Sequence, residues 1–211
     1  MCIRDSAYGQ GGWNGSSATK EALDAFGYGT SSQDPRFELT YYAGKVEGPN
    51  GTIKLDDGTD LEYVPSEITL DLSGKASEKT AGARMKKYEL DASATNDGKL
   101  QSNDIVLFRY ADVLLMYVEA VLGAPSEPYA NDITNDVNAL AVYNAVRARA
   151  GHLPVTSVSR NELLQERKFE FAFENQRWFD LQRVVGVSET IRIMEAHGQD
   201  SRLLPKQKFT K

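Results

Sequence analysis

NELLQERKFEFAFENQRWFDLQR, residues 161–183, is the stretch on which the reading of the fold turns. Written as one helix, it sets Leu164, Phe171 and Trp178 seven residues apart, with Val185 continuing the series, as one side of a coiled-coil-like seam. Arg167, Glu170, Glu174 and Arg177 follow at spacings of three, four and three, so each lies beside the next on one stripe. Phe169, Phe173 and Phe179 face elsewhere, and a helix apolar on several sides is a central one. Its charges then need partners, because an unpaired buried charge is strongly destabilising. A solvated salt-bridge face is the alternative; the spread of Phe and Trp around the helix favours burial.

A chain of 211 residues makes one domain or two small ones and can bury a core. Apolar residues at 41% and charged residues at 26% are ordinary for a globular protein. The net charge of −6 argues against nucleic acid as the main partner, since phosphate binding needs a basic surface. One cysteine, Cys2, cannot close an internal disulfide, and nothing in residues 1–6 (MCIRDS) resembles a signal peptide or a lipidation signal. These six residues read as a non-native leader, with the native chain entered mid-protein at a loop-like run, YGQGGWNGSS.

Residues 8–32 are rich in Gly, Ser and Asn, with a short helix expected over 18–26. Trp13 and Tyr28 in these loops suit stacking on a sugar or other ligand, or packing the loop onto the domain. FELTYYAGK, residues 37–45, reads as a strand centred on Thr40, Tyr41 and Tyr42. Asn50-Gly51 and Asp57-Gly58 bracket residues 52–55, and 60–64 follow, which predicts a hairpin. ITLDL, residues 68–72, is a further short alternating segment, and Arg84, Lys86 and Lys87 form a solvated basic edge.

The helical half is expected to open at Asn103 or Asp104 as N-cap. Residues 105–122 are long enough for a bilayer, but Arg109, Asp112 and Glu119 are expensive at membrane depth and make a spanning helix untenable. Those three charges share one stripe, complementary to that on 167–177. Residues 136–150 form the next helix, with Arg147 and Arg149 in a last turn that suits the helix dipole. Ser159 and Glu162 make a capping box ahead of the organising helix, a short helix is expected over 189–196, and 201–211 is a frayed tail.

No HExxH, CxxC pair, GxSxG or phosphate-cradling glycine motif occurs. His152 and His197 stand alone at helix exits, in surface or capping roles. Glu166, Glu170 and Glu174 are interleaved with Arg167 and Arg177, which lower carboxylate pKa values where a glycosidase needs one raised. No enzyme activity, metal or cofactor is expected. Successive helical hairpins with aromatic and Ala packing suit a tetratricopeptide-like stack, without a provable internal repeat.

FRYADVLLMYVEA (108–120), YNAVRARAG (143–151) and ERKFEFAFENQRWFDLQR (166–183), in that order, resemble the signature helices of the SusD/RagB family, the glycan-binding outer-membrane lipoproteins of Bacteroidetes. DPRFELTYY (34–42) and AGARMKKYEL (81–90) resemble the weaker motifs that precede them, so the likeness spans most of 34–183. It implies a mainly α fold of tetratricopeptide-like helix pairs with an irregular, partly β N-terminal segment. It also implies a non-catalytic activity: holding an oligo- or polysaccharide at the cell surface as a hinged lid on a SusC-like TonB-dependent transporter barrel. The family's lipidated N-terminal cysteine and the helical repeats after it are not matched, and Leu204-Pro205-Lys206 only partly matches its closing segment. The chain therefore reads as a C-terminal fragment whose lipid anchor and signal lie elsewhere. Its expected divisions are a leader (1–6), a ligand-facing irregular and β insertion (7–102), a helical scaffold (103–200) and a tail.

Arg109, Asp112, Glu119, Arg147, Arg149, Glu166, Arg167, Glu170, Glu174, Arg177 and Asp180 match the family's recurrent charged positions, which are scaffold residues. The stripe pattern supplies their role, a buried, mutually neutralised network fixing how helices 103–122, 136–150 and 161–183 cross. Trp13, Tyr28, Tyr41 and Tyr42, with Asn14 as polar helper, are the ligand candidates, because glycans are held by aromatic faces and by amide or acidic side chains. A helical-repeat scaffold binding a protein and no sugar is the rival reading.

Overall fold

A computed structural model describes residues 17–48, 51–55, 57–67, 80–88, 104–126 and 131–200. The chain divides into two compact units, residues 1–105 and 106–211.

The first unit holds α1 (Lys20–Ala25), α2 (Phe37–Thr40) and six two-residue strands: β1 (Tyr41–Tyr42), β2 (Gly44–Lys45), β3 (Glu47–Gly48), β4 (Gly51–Thr52), β5 (Glu62–Tyr63) and β6 (Arg84–Met85). Thr19 caps α1 by accepting from the Ala22 amide. The expected strand over 37–45 is instead a helical turn followed by β1 and β2. Local bonding overrides the β-favouring side chains there. The Thr40 hydroxyl donates to the Arg36 carbonyl at 2.7 Å, and Arg36 is itself held by a buried bidentate pair with Asp34. That turn drops Phe37 fully into the interior. The expected hairpin is present as an antiparallel bridge from Lys54 to Asp60, closed by the Leu55 amide donating to Thr59 at 2.8 Å. Val46, Leu61 and Tyr63 form one small core, and Phe26, Phe37 and Tyr41 an aromatic one. The 68–72 segment lies outside the described residues.

The second unit holds α3 (Tyr110–Leu122), β7 (Ile133–Thr134), α4 (Val137–Arg149), β8 (Val158–Ser159), α5 (Arg160–Glu170), α6 (Arg177–Val185) and α7 (Val187–Asp200). Helix α3 packs on α4 and α5 around Leu115, Val118, Tyr143, Val146, Leu163 and Phe171, and α6 packs on α7. The chain is mainly α, and the strands among the described residues are short clips.

Two helix boundaries depart from expectation. Helix α3 begins at Tyr110, six or seven residues after the expected cap: Arg109 is extended (φ −126°, ψ 154°) and its side chain reaches across to Glu170 and Glu174, while Asp104 is not helical and Asn103 lies outside the described residues. The single helix over 161–183 is really two, separated by a turn in which Phe173 (φ 65°) and Asn175 (φ 59°) adopt left-handed backbone. A straight helix would set Arg167 and Asp180 ~20 Å apart at about 1.5 Å per residue. The turn brings them to 2.9 Å. Elsewhere the boundaries agree closely: Asp136 caps α4 through the Ala139 amide, and Ser159 and Glu162 form a reciprocal capping box on α5. The 189–196 helix extends to Val187–Asp200.

Replacing Ser159 by Ala removes the cap and is expected to lower stability by about 1 kcal/mol, read as an earlier urea midpoint with an unchanged denaturant slope.

Candidate functional site

Two clusters of side chains stand out, one in each unit. In the helical unit the charges meet in the interior. Arg167, 1% exposed, donates to Asp112 Oδ1 at 2.8 Å and to Asp180 Oδ1 at 2.9 Å, so one guanidinium from α5 ties α3 to α6. Arg109 donates to Glu170 Oε1 at 2.8 Å and grips both oxygens of Glu174 at 2.7 and 2.9 Å. Arg149 also pairs with Glu170, and Arg147 reaches Glu166 at 3.5 Å. The phenyl ring of Phe171 lies between two cations, with the guanidinium carbons of Arg109 and Arg167 each 4.9 Å from its centroid. The turn after α5 is what places Phe171 and Glu174 within reach of Arg109.

Arg177 differs from its neighbours. Its guanidinium donates to the Leu164 carbonyl at 3.1 Å, and among the described residues it makes no ion pair. Burial pulls its pKa down, against a smaller upward pull from Asp180. Glu119, on α3, is held by Arg183 at 2.9 and 3.0 Å, and Arg183 also reaches Asp180 at 2.7 Å. Arg183 closes the same sequence motif three residues after Asp180, a spacing that marks it. Arg160 carries no such signal. It is 1% exposed and donates to Asp132 Oδ2 and to the Gly123 carbonyl, each at 3.0 Å, closing the C-terminal end of α3.

Burial alone would raise the carboxyl pKa values of Glu170 and Glu119. Hydrogen bonds from Arg109 and Arg149 to the first, and from Arg183 to the second, outweigh it and hold both below the ordinary glutamate value of 4.5. These groups are kept ionised, the opposite of what an acid catalyst needs.

The ligand candidates of the first unit are placed as follows. Trp13 and Asn14 lie outside the described residues. Tyr41 is buried, its ring edge-on to Phe26 at 5.5 Å and tilted over Phe37 at 5.2 Å, and burial pushes its phenol up to about 12. Its faces are committed to packing, which corrects its place among the ligand candidates. Tyr42 is half-buried with the Lys86 ammonium 5.5 Å above its ring. Tyr28 is exposed, with one face on Phe37 at a centroid distance of 4.8 Å. Among the described residues no three His, Cys, Asp or Glu side chains gather as a metal site, and no helix is long and apolar enough to cross a membrane.

One helix-rich unit stitched by buried arginine–carboxylate pairs and a second unit of short strands and loops with an exposed tyrosine define the class of protein. The SusD family model matches residues 2–208, and the chain belongs to the SusD family. It is 32% identical over 112 residues to SusD-like protein P2 of Formosa agariphila, covering 47% of this chain and 20% of that one. It is 34% identical over 90 residues to a SusD-like protein of Bacteroides ovatus, covering 41% of this chain and 15% of the relative. The chain thus spans a fifth or less of these relatives. A crystal structure described as containing a xylogluco-oligosaccharide superposes with a TM-score of 0.53 at 21% identity, over 85% of this chain and 32% of that one, a likeness of fold.

Arg167→Ala breaks two buried pairs at once and is expected to destabilise the protein by about 3–5 kcal/mol. Arg177→Ala loses a bond to a carbonyl and is expected to cost about 1–3 kcal/mol; urea melts of the two variants give the ranking directly. Glu170 and Glu119 have folded pKa values below their unfolded ones, so the stability they contribute is fully present above pH 4.5 and is lost as pH falls through the folded values. Glu170→Gln is accordingly expected to destabilise strongly at pH 7 and less at pH 3, measured as paired urea midpoints.

Proposed function

We propose that this chain belongs to the glycan-binding subunit of a nutrient-uptake pair at the bacterial outer membrane, and that it binds carbohydrate without chemistry. The observation that carries the reading is membership of the SusD family together with an exposed tyrosine face mounted in a loop-rich unit of its own. The oligosaccharide in the crystal structure of similar fold supports it. In this reading the full-length protein is lipid-anchored, and the partner is a SusC-like TonB-dependent barrel that receives the sugar. The first unit faces the ligand and the helical unit is the scaffold. Tyr28 and Tyr42 are the contact residues among those described, with Trp13 and Asn14 as further contacts. The pairing of Glu166, Glu170 and Glu174 with arginines, which holds the Glu170 carboxyl below its ordinary value, supports a protein that binds and releases rather than hydrolyses.

One feature favours the rival, a helical scaffold for a protein partner: Tyr110, Val113, Tyr117 and Val121 leave an exposed apolar stripe along α3 at helical spacing. Carbohydrate retention separates the two. Electrophoresis of the 211-residue chain through native gels containing soluble polysaccharides is expected to show slowed migration in at least one, and incubation with that polysaccharide is expected to release no reducing sugar. Unretarded migration in all of them would remove the glycan reading.

A further inference from the structure

The loop carrying Tyr28 is more organised than an exposed loop needs to be. Gly27 (φ +67°) turns the chain where a Cβ would stand 3.1 Å from the Ser32 carbonyl and 3.2 Å from the Thr30 hydroxyl, so the turn requires glycine. The Thr30 hydroxyl donates to the Gly27 carbonyl at 2.7 Å, and the Tyr28 amide donates to Leu23 at 3.0 Å. Beneath the ring, Phe37 is fully buried and stacked in turn on Tyr41, so Tyr28, 37% exposed, rests on a fixed aromatic floor. The buried Asp34–Arg36 pair anchors the chain leading into that floor.

Two polar side chains are locked beside it. Gln33 Oε1 accepts from the amide of Gly29, the residue after Tyr28, at 3.0 Å. Gln33 Nε2 donates to Oε1 of Glu38, the residue after Phe37, also at 3.0 Å. This fixes what remains free. The amide nitrogen has a second N–H, and the carboxylate has Oε2, neither with a partner among the described residues. A donor and an acceptor with no partner among the described residues therefore belong to one hydrogen-bonded pair, anchored at the residue that follows the exposed Tyr28.

We infer that Tyr28, Gln33 and Glu38 form a subsite for an uncharged sugar ring bearing a vicinal diol. The inference rests on the glycan reading above and narrows it. One hydroxyl of the diol donates to Glu38 Oε2, its neighbour accepts from the free Gln33 N–H, and the C–H face of the ring lies on Tyr28. The charge of Glu38 selects against a uronic acid, whose carboxylate would be brought close to another in a chain already at −6. Because ring, amide and carboxylate are held before ligand arrives, little ordering is left to oppose binding.

The test is native gel electrophoresis of the 211-residue chain in xyloglucan, galactomannan, laminarin or polygalacturonate at equal ionic strength. Calorimetry then uses oligosaccharides of the polysaccharide that retards most. The parent is expected to be retarded by a neutral polysaccharide and not by polygalacturonate. Tyr28→Ala is expected to weaken affinity up to about tenfold, the upper worth of one aromatic contact, and Tyr28→Trp to retain it. Glu38→Gln, an exposed change that leaves the fold intact, is expected to weaken neutral binding severalfold. A thermal midpoint for Tyr28→Ala matching that of Tyr28→Trp shows that lost affinity is not lost folding. Retardation by neutral polysaccharide that survives both Tyr28→Ala and Glu38→Gln overturns the subsite and leaves the glycan reading standing. Binding to polygalacturonate as tight as to the neutral polymers overturns the charge selection. Retardation by none of the four overturns the glycan reading and the subsite with it.

Discussion

Arg167 is buried where no water can solvate it, and the helical unit is arranged to answer that one charge. Asp112 on α3 and Asp180 on α6 each give it an oxygen, and Phe171 gives it a ring face. Removing such a charge from water is costly enough that the geometry of its partners is tightly constrained. Three helices and one turn are therefore fixed relative to each other by a single side chain. The second layer repeats the logic with Arg109, Glu170 and Glu174, and shares Phe171 as the plate between the two cations. Apolar packing fills the space around these pairs, but packing alone is tolerant of sliding. The fork of a guanidinium on two carboxylates is not.

The same constraint accounts for what the amino-acid sequence did and did not reveal. The complementary charges of 109–119 and 167–180 and the capping box at Ser159 are local patterns that can be read directly, but the one helical stripe expected over 167–177 is divided between α5, a turn and α6. The break between α5 and α6 is not such a pattern. No Gly or Pro occurs in 161–185, so nothing punctuates the pattern, and within the turn itself, residues 171–176, only Asn175 has a known tolerance for left-handed backbone. The break exists because Asp180 and Glu174 must reach arginines that a continuous helix would carry them away from. That is a tertiary demand, invisible to periodicity. Arg109 shows the converse: its place in the apolar run suggested an interior helical residue, whereas an extended backbone is what lets it span to α5.

In the first unit the balance between local propensity and burial fell the other way. Tyr41 and Tyr42 have equal claims as strand and as ligand residues when read as letters. Their alternation in β1 sends Tyr41 inward and leaves Tyr42 half-buried under a lysine, a distinction that depends on which face of a two-residue strand meets Phe26. Tyr28 was legible as a loop aromatic. Its floor of Phe37 and its flanking amide and carboxylate were not, because they come from a helical turn where strand propensity pointed to β structure.

Arg160 governs how the chain leaves and rejoins the helical unit. Its guanidinium closes the end of α3 at Gly123 and grips Asp132, while its own amide donates to the Asp132 carbonyl and begins α5. The chain leaves the bundle at residue 123 and is caught again at 132 by the same side chain. One side chain thus ties the end of α3 to the start of α5, so the spacing of these two helices is set by Arg160 rather than by the chain that joins them.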